Sequence, residues 1–123
     1  MKLILLSAGT LALLSVVLGA FAAHGLKNKL SEPLLHAFST GVEYQFLHSL
    51  ALILVVILAK LFPNSLWYWC AGLFIAGVLC FSGSLYALAL TGIKWFGPIT
   101  PLGGMMFIAG WAVFVIAALK GYQ

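Results

Sequence analysis

The charged side chains of this 123-residue chain are six lysines and two glutamates, and their spacing decides what it can fold into. None falls between Lys2 and Lys27, between Glu43 and Lys60, between Lys60 and Lys94, or between Lys94 and Lys120. Intervals of this length match the roughly 20 apolar residues that cross a bilayer as a helix. A soluble domain carries about 25% charged residues; here the share is 7%, with 64% hydrophobic residues and a mean hydropathy of +1.18. No water-facing fold absorbs so much apolar side chain, so the solvent for this chain is lipid.

The pI near 9.3 comes from lysines scattered singly at the ends of apolar runs. There an amine snorkels to the interface, so these are anchors and topology signals. They form no basic patch for nucleic acid. Cys70 and Cys80 stand about 15 Å apart along one helix, beyond disulfide reach, and read as small apolar residues. Met1 to Ala22 imitates a secretory leader with an A-x-A site. The apolar run continues to Ala23, the length of a full span, and reads as the first transmembrane helix.

Breakers divide the chain into four helices, over about 2–24, 32–61, 65–90 and 99–119. Gly25 is placed to stop the first. Ser31 is an N-cap for the second, with Pro33 in its first turn. Pro63-Asn64 separates the second from the third, and Thr91 to Pro98 the third from the fourth. Thr100 is read as N-cap of the fourth, ahead of Pro101. Leu66-Trp67-Tyr68-Trp69 and Trp95 read as aromatic belts. The expected fold is all-α, a single domain over 1–123 forming an integral membrane four-helix antiparallel bundle. Small residues recur on the first helix (Ala8, Ala12, Ser15, Gly19 and Ala22 or Ala23) and on the third (Gly72, Ala76, Cys80, Gly83, Ala87), as packing faces. Lys2, Lys60 and Lys120 lie on the side of the termini and Lys27, Lys29 and Lys94 on the other, so the positive-inside rule barely chooses an orientation.

The polar interruption is His36 to His48, which opens the second helix. That helix is about 45 Å long, more than the hydrocarbon core, so it tilts or starts in the headgroup zone. His36, Ser39, Thr40 and Glu43 share one face; Gly41, Tyr44, Gln45 and His48 make an adjoining one. Together they suggest a polar wedge on the inward side of the helix. A titratable group leading into a spanning run points to function. Glu43 is the sharpest candidate, with His24, His36 and His48 around it and Thr40, Tyr44 and Gln45 beside it. Ser82, Ser84, Tyr86 and Thr100 bring hydroxyls from the third and fourth helices. The blander reading is local pairing, including a neutral His48 bonded to Ser82 or Ser84 across helices. No histidine pair has the i, i+4 ligand spacing and no cysteine joins them, which speaks against a metal or haem site. The chain has no aspartate, and Ser82-Gly83-Ser84 is no nucleophile elbow, so enzymatic chemistry has little support.

Four strings resemble one known family. They are Leu18 to Leu26 (LGAFAAHGL), Thr40 to Ala51 (TGVEYQFLHSLA), Phe81 to Tyr86 (FSGSLY) and Ile99 to Gly104 (ITPLGG). In this order they are similar to the YgdD-like family of small inner-membrane proteins, a domain of unknown function with eukaryotic relatives. The resemblance implies a four-helix protein of the bacterial inner membrane with both termini cytoplasmic. It supplies no reaction and no cofactor. Two functional readings stay open. One is a carrier-like or channel-like subunit that moves a proton, a cation or a small amphiphile through a shallow cavity at Glu43, and needs a homo-oligomer. The other is a non-transporting structural or accessory subunit that packs against a larger membrane complex or lipid.

Overall fold

The computed structural model describes residues 1–121; Tyr122 and Gln123, within the single domain expected over 1–123, lie outside the described residues. Every regular element is helical. In chain order they are α1 (Lys2–His24), α2 (Glu32–Leu61), α3 (Leu66–Gly77), a π-helical turn (Val78–Ser82), α4 (Gly83–Thr91), a 3-10 turn (Lys94–Phe96) and α5 (Ile99–Gly121). Four spans are long and apolar enough to cross a membrane: Lys2–His24, Glu32–Leu61, Leu66–Thr91 and Lys94–Gly121. The expected all-α four-helix bundle is therefore present, with boundaries displaced by the one or two residues at which helix ends fray.

The local causes are mostly those of the sequence. Ser31 caps α2, its hydroxyl accepting from the Leu34 N–H, with Pro33 in the first turn. Gly92 ends α4 in the left-handed region, at φ 71°, the only positive φ among the described residues. Thr100 is not a cap: it lies within α5, and its hydroxyl faces Ser84 across the helices. The 3-10 turn already starts the winding ahead of it, with the Thr100 N–H bonded to the Gly97 carbonyl.

Two helical hairpins make the bundle. α1 packs almost wholly on α2, and α3 chiefly on α5. The α1 seam is Ala8, Ser15 and Ala22, each buried and seven residues apart, which is the period of a left-handed helix pair. Its other sides carry Leu6, Leu13, Val16, Val17 and Phe21 outward, as lipid requires. The third span departs from expectation. Gly72 and Gly83, placed on a packing stripe, have open space beside them. The buried face is instead Trp67, Cys70, Ala71, Phe74 and Gly77. Here glycine meets phenylalanine: Gly77 against Phe107, Gly110 against Phe74, Gly103 against Phe81. At Gly77 and Gly110 a ring laid on a bare backbone gives large dispersion contact where no hydrophobic force between helices exists, and at Gly103 the backbone of Phe81 itself comes close. Trp67 also leaves the belt: it is 1% exposed, and its indole N–H donates to the Phe62 carbonyl. Tyr68, Trp69 and Trp95 remain on the surface.

The π turn lets one span serve two neighbours. α3 faces α5, whereas α4 faces α2. In the turn the Gly83 N–H reaches the Val78 carbonyl, five residues back, which widens the winding locally.

Candidate functional site

The polar start of α2 is divided by the packing. Phe38, Gly41, Gln45, His48 and Ser49 are buried. His36, Ser39 and Glu43 are exposed, and so is His24 at the end of α1. Of the two adjoining polar faces only the second points inward, because α1, the π turn and α4 all pack on that side. Glu43 therefore lies away from His48, and it makes no hydrogen bond or ion pair with any described residue. Thr40 turns its hydroxyl back onto the His36 carbonyl at 2.9 Å.

The buried polar groups link the helices instead. Gln45 spans three of them. Its amide Nε2 donates to the Leu11 carbonyl of α1 at 2.8 Å, and its Oε1 accepts from the Tyr86 hydroxyl of α4 at 2.6 Å. Ser82, on the π turn, donates to the Gly41 carbonyl at 2.7 Å. A side chain at position 41 would strike the Tyr86 ring, its Cβ only 2.8 Å from it, so Gly41 both yields its carbonyl and admits the tyrosine. Ser84 joins Thr100, tying α4 to α5.

His48 has a shell of its own. Its ring stacks on Phe107 at 3.7 Å and 11°, meets Phe74 edge-on at 5.2 Å, and lies near Tyr44 and Trp111. Nδ1 is 2.8 Å from the Tyr44 carbonyl, and Nε2 is 3.1 Å from the Trp111 Nε1. A carbonyl only accepts and an indole N–H only donates. The proton therefore belongs on Nδ1, and Nε2 is the acceptor. Both ring nitrogens are committed, and neither meets Ser82 or Ser84 as the sequence suggested. Trp111 had no assigned role in the sequence. The signal was present, since an indole near the middle of a span needs an acceptor in hydrocarbon.

Among the described residues no buried side-chain nitrogen or oxygen lacks a hydrogen-bond partner. No group of three or more His, Cys, Asp or Glu side chains among them could hold a metal ion. The candidates thus form an inner network (Gln45, His48, Ser82, Ser84, Tyr86, Thr100), an exposed Tyr44 whose ring lies beside His48, and an outer set (His24, His36, Thr40, Glu43) on the side of α1 and α2 toward the 25–31 loop.

The Gln45–Tyr86 pair can be tested directly. Gln45→Leu strands the tyrosine hydroxyl and Tyr86→Phe strands the amide oxygen, each costing about 1 kcal/mol. The double variant strands neither of these two groups and should cost less than the sum. Unfolding in mixed detergent–SDS micelles measures this; strictly additive losses would mean the pair does not couple.

Four apolar spans joined by buried neutral hydrogen bonds define a small polytopic membrane protein. The chain belongs to the family described as "Protein of unknown function (DUF423)", whose model matches residues 18–104. It is 45% identical over 121 residues to the UPF0382 membrane protein YwdK of Bacillus subtilis, covering 98% of each chain. It is 42% identical over 120 residues to the UPF0382 membrane protein SH2409 of Staphylococcus haemolyticus, again covering 98% of each. To the UPF0382 inner membrane protein YgdD of Escherichia coli K12 it is 38% identical, over 97% of this chain and 91% of that one. The resemblance read from the four strings is thereby shown. No solved structure matches the chain at a significant level.

Proposed function

We propose that this protein is a non-transporting structural or accessory subunit of the membrane, whose buried polar groups fix helix register. The observation that carries this reading is the internal pairing of every buried polar side-chain atom among the described residues. A permeation path needs polar groups with bonding capacity left for a cargo. Gln45, His48, Ser82 and Tyr86 instead spend theirs on the Leu11, Tyr44 and Gly41 backbone, on Trp111 and on one another. Such bonds specify which helices meet and at what depth, a role that polar residues fill in lipid. The name of the E. coli relative supports a bacterial inner membrane as the location; both termini on the cytoplasmic side is what the family resemblance implies. The packing partner is a second copy or a larger membrane complex, and crosslinking in native membranes identifies which.

The test is flux of protons, sodium and potassium into proteoliposomes, with wild type and Glu43→Gln at matched protein. The expected result is the rate of empty liposomes for both. Flux in wild type that Glu43→Gln abolishes would replace this reading with the carrier or channel.

A further inference from the structure

At the end of the bundle that holds the 25–31 loop, a groove of about 390 Å³ runs between α1 and α2. Its floor is apolar, made by Gly19, Ala22, Ala23 and Val42, and Lys27 and Ser39 stand at its mouth. A second hollow adjoins it, sharing Leu35 and Ser39 and adding Glu32 and His36. Lys27 and Glu32 are both exposed, and neither forms an ion pair with a described residue.

The depth of these groups follows from the helices. From Leu35 to Val42 the groove descends about 10 Å along α2. On the exposed side of α2 the polar residues Glu32, His36, Ser39 and Glu43 run to the level of Val42, and Phe46, Leu47, Leu50 and Leu54 follow from about one turn below it. The charged mouth therefore lies at headgroup level, and the floor, level with Glu43, ends at the boundary between headgroups and acyl chains. Lys27 lines the first hollow and Glu32 the adjoining one, so a cation and an anion stand on either side of Leu35 and Ser39 above an apolar slot.

We propose that this groove binds one phospholipid whose headgroup carries both a phosphate and an ammonium. The phosphate is held by Lys27, with Ser39 as hydrogen-bond donor, and the ammonium by Glu32. One acyl chain lies along Gly19, Ala22 and Val42. Charge complementarity selects this occupant: a purely anionic lipid would satisfy Lys27 and set its negative headgroup beside Glu32. The site is separate from the buried network, so it stands or falls independently of the flux result.

The experiment is native mass spectrometry of the detergent-purified protein with equimolar dioleoyl phosphatidylethanolamine, phosphatidylglycerol and phosphatidylcholine added in turn. The ethanolamine lipid is expected as a single retained copy, about fivefold above the glycerol lipid, the scale of one charge near a membrane surface. Phosphatidylcholine, whose ammonium has no N–H to give, falls between them. Lys27→Gln lowers retention of all three, and Glu32→Gln brings the ethanolamine lipid down to the glycerol lipid. Ala23→Leu fills the slot from an exposed position and abolishes retention, while circular dichroism shows the variants folded. Equal retention of the three lipids, a preference for the glycerol lipid, or retention by Lys27→Gln and Glu32→Gln as in wild type would overturn the proposal.

Discussion

Replacing Gly103 by alanine is expected to separate α5 from the π turn and to leave most of the protein unfolded in detergent at temperatures where wild type is intact. A Cβ at this position would lie 2.3 Å from the backbone nitrogen of Phe81 and 2.7 Å from its Cα. Backbone cannot rotate aside as a side chain can, so the two helices must move apart. The movement also spoils the neighbouring contacts, Gly77 on Phe107 and the Ser84–Thr100 bond. Overpacking of this kind costs about 3 kcal/mol, the upper end of the ordinary range. Gly9→Ala is the control. Its Cβ would meet nothing within 4 Å, and removing a helical glycine gains up to about 1 kcal/mol. The measurement is the SDS fraction at half-unfolding for the two variants. Equal midpoints would show that the close approach does not hold the bundle together.

His48→Ala should be the costliest loss of a polar side chain. The imidazole is 4% exposed and in van der Waals contact with Phe107. Removing it opens a cavity among Phe74, Phe107 and Trp111, and it takes away the acceptor of the Trp111 N–H. A cavity of this size costs about 2–4 kcal/mol, and the stranded indole adds about 1 more. His36→Ala, on the exposed face, should change stability by less than about 0.5 kcal/mol. A thermal or SDS unfolding series with both variants settles the ordering. If they lose similar amounts, the aromatic shell around His48 is not an energetic centre.

The sequence made the spans legible because charges are sparse within them and every proline falls in a connection or in the opening turn of a helix, and Ser31, Gly92 and the 62–65 turn mark their ends in chemical terms. It did not make legible which side of each helix faces inward. In water the apolar side turns to the core, but here lipid is as apolar as the core. The faces through Glu43 and through Gln45 were therefore both expected on the inward side, and packing turns only the second inward. The same ambiguity misplaced the third span's contact face on Gly72 and Gly83. Small residues permit close approach without stating what approaches. What does approach is phenylalanine, at Gly77, Gly103 and Gly110. His48 was visible as a candidate, but its partner Trp111 is 63 residues away, and no local spacing relates them. Ser82, Ser84 and Tyr86 were visible as hydroxyls near the right depth. Their partners Gly41, Thr100 and Gln45 follow only from how the hairpins dock.

The wide turn at Val78–Ser82 sets the angular phase of everything after it. A residue of ordinary helix advances the winding by about 100°. Shortening the turn to regular α-helix by one residue would swing Ser84 and Tyr86 by about that angle, away from Thr100 and Gln45. The first half of the span would keep its hold on α5 through Phe74 and Gly77. One residue of slack is thus a gear between the two hairpins: it converts a rod with a single preferred side into one that meshes with α5 at one end and with α2 at the other.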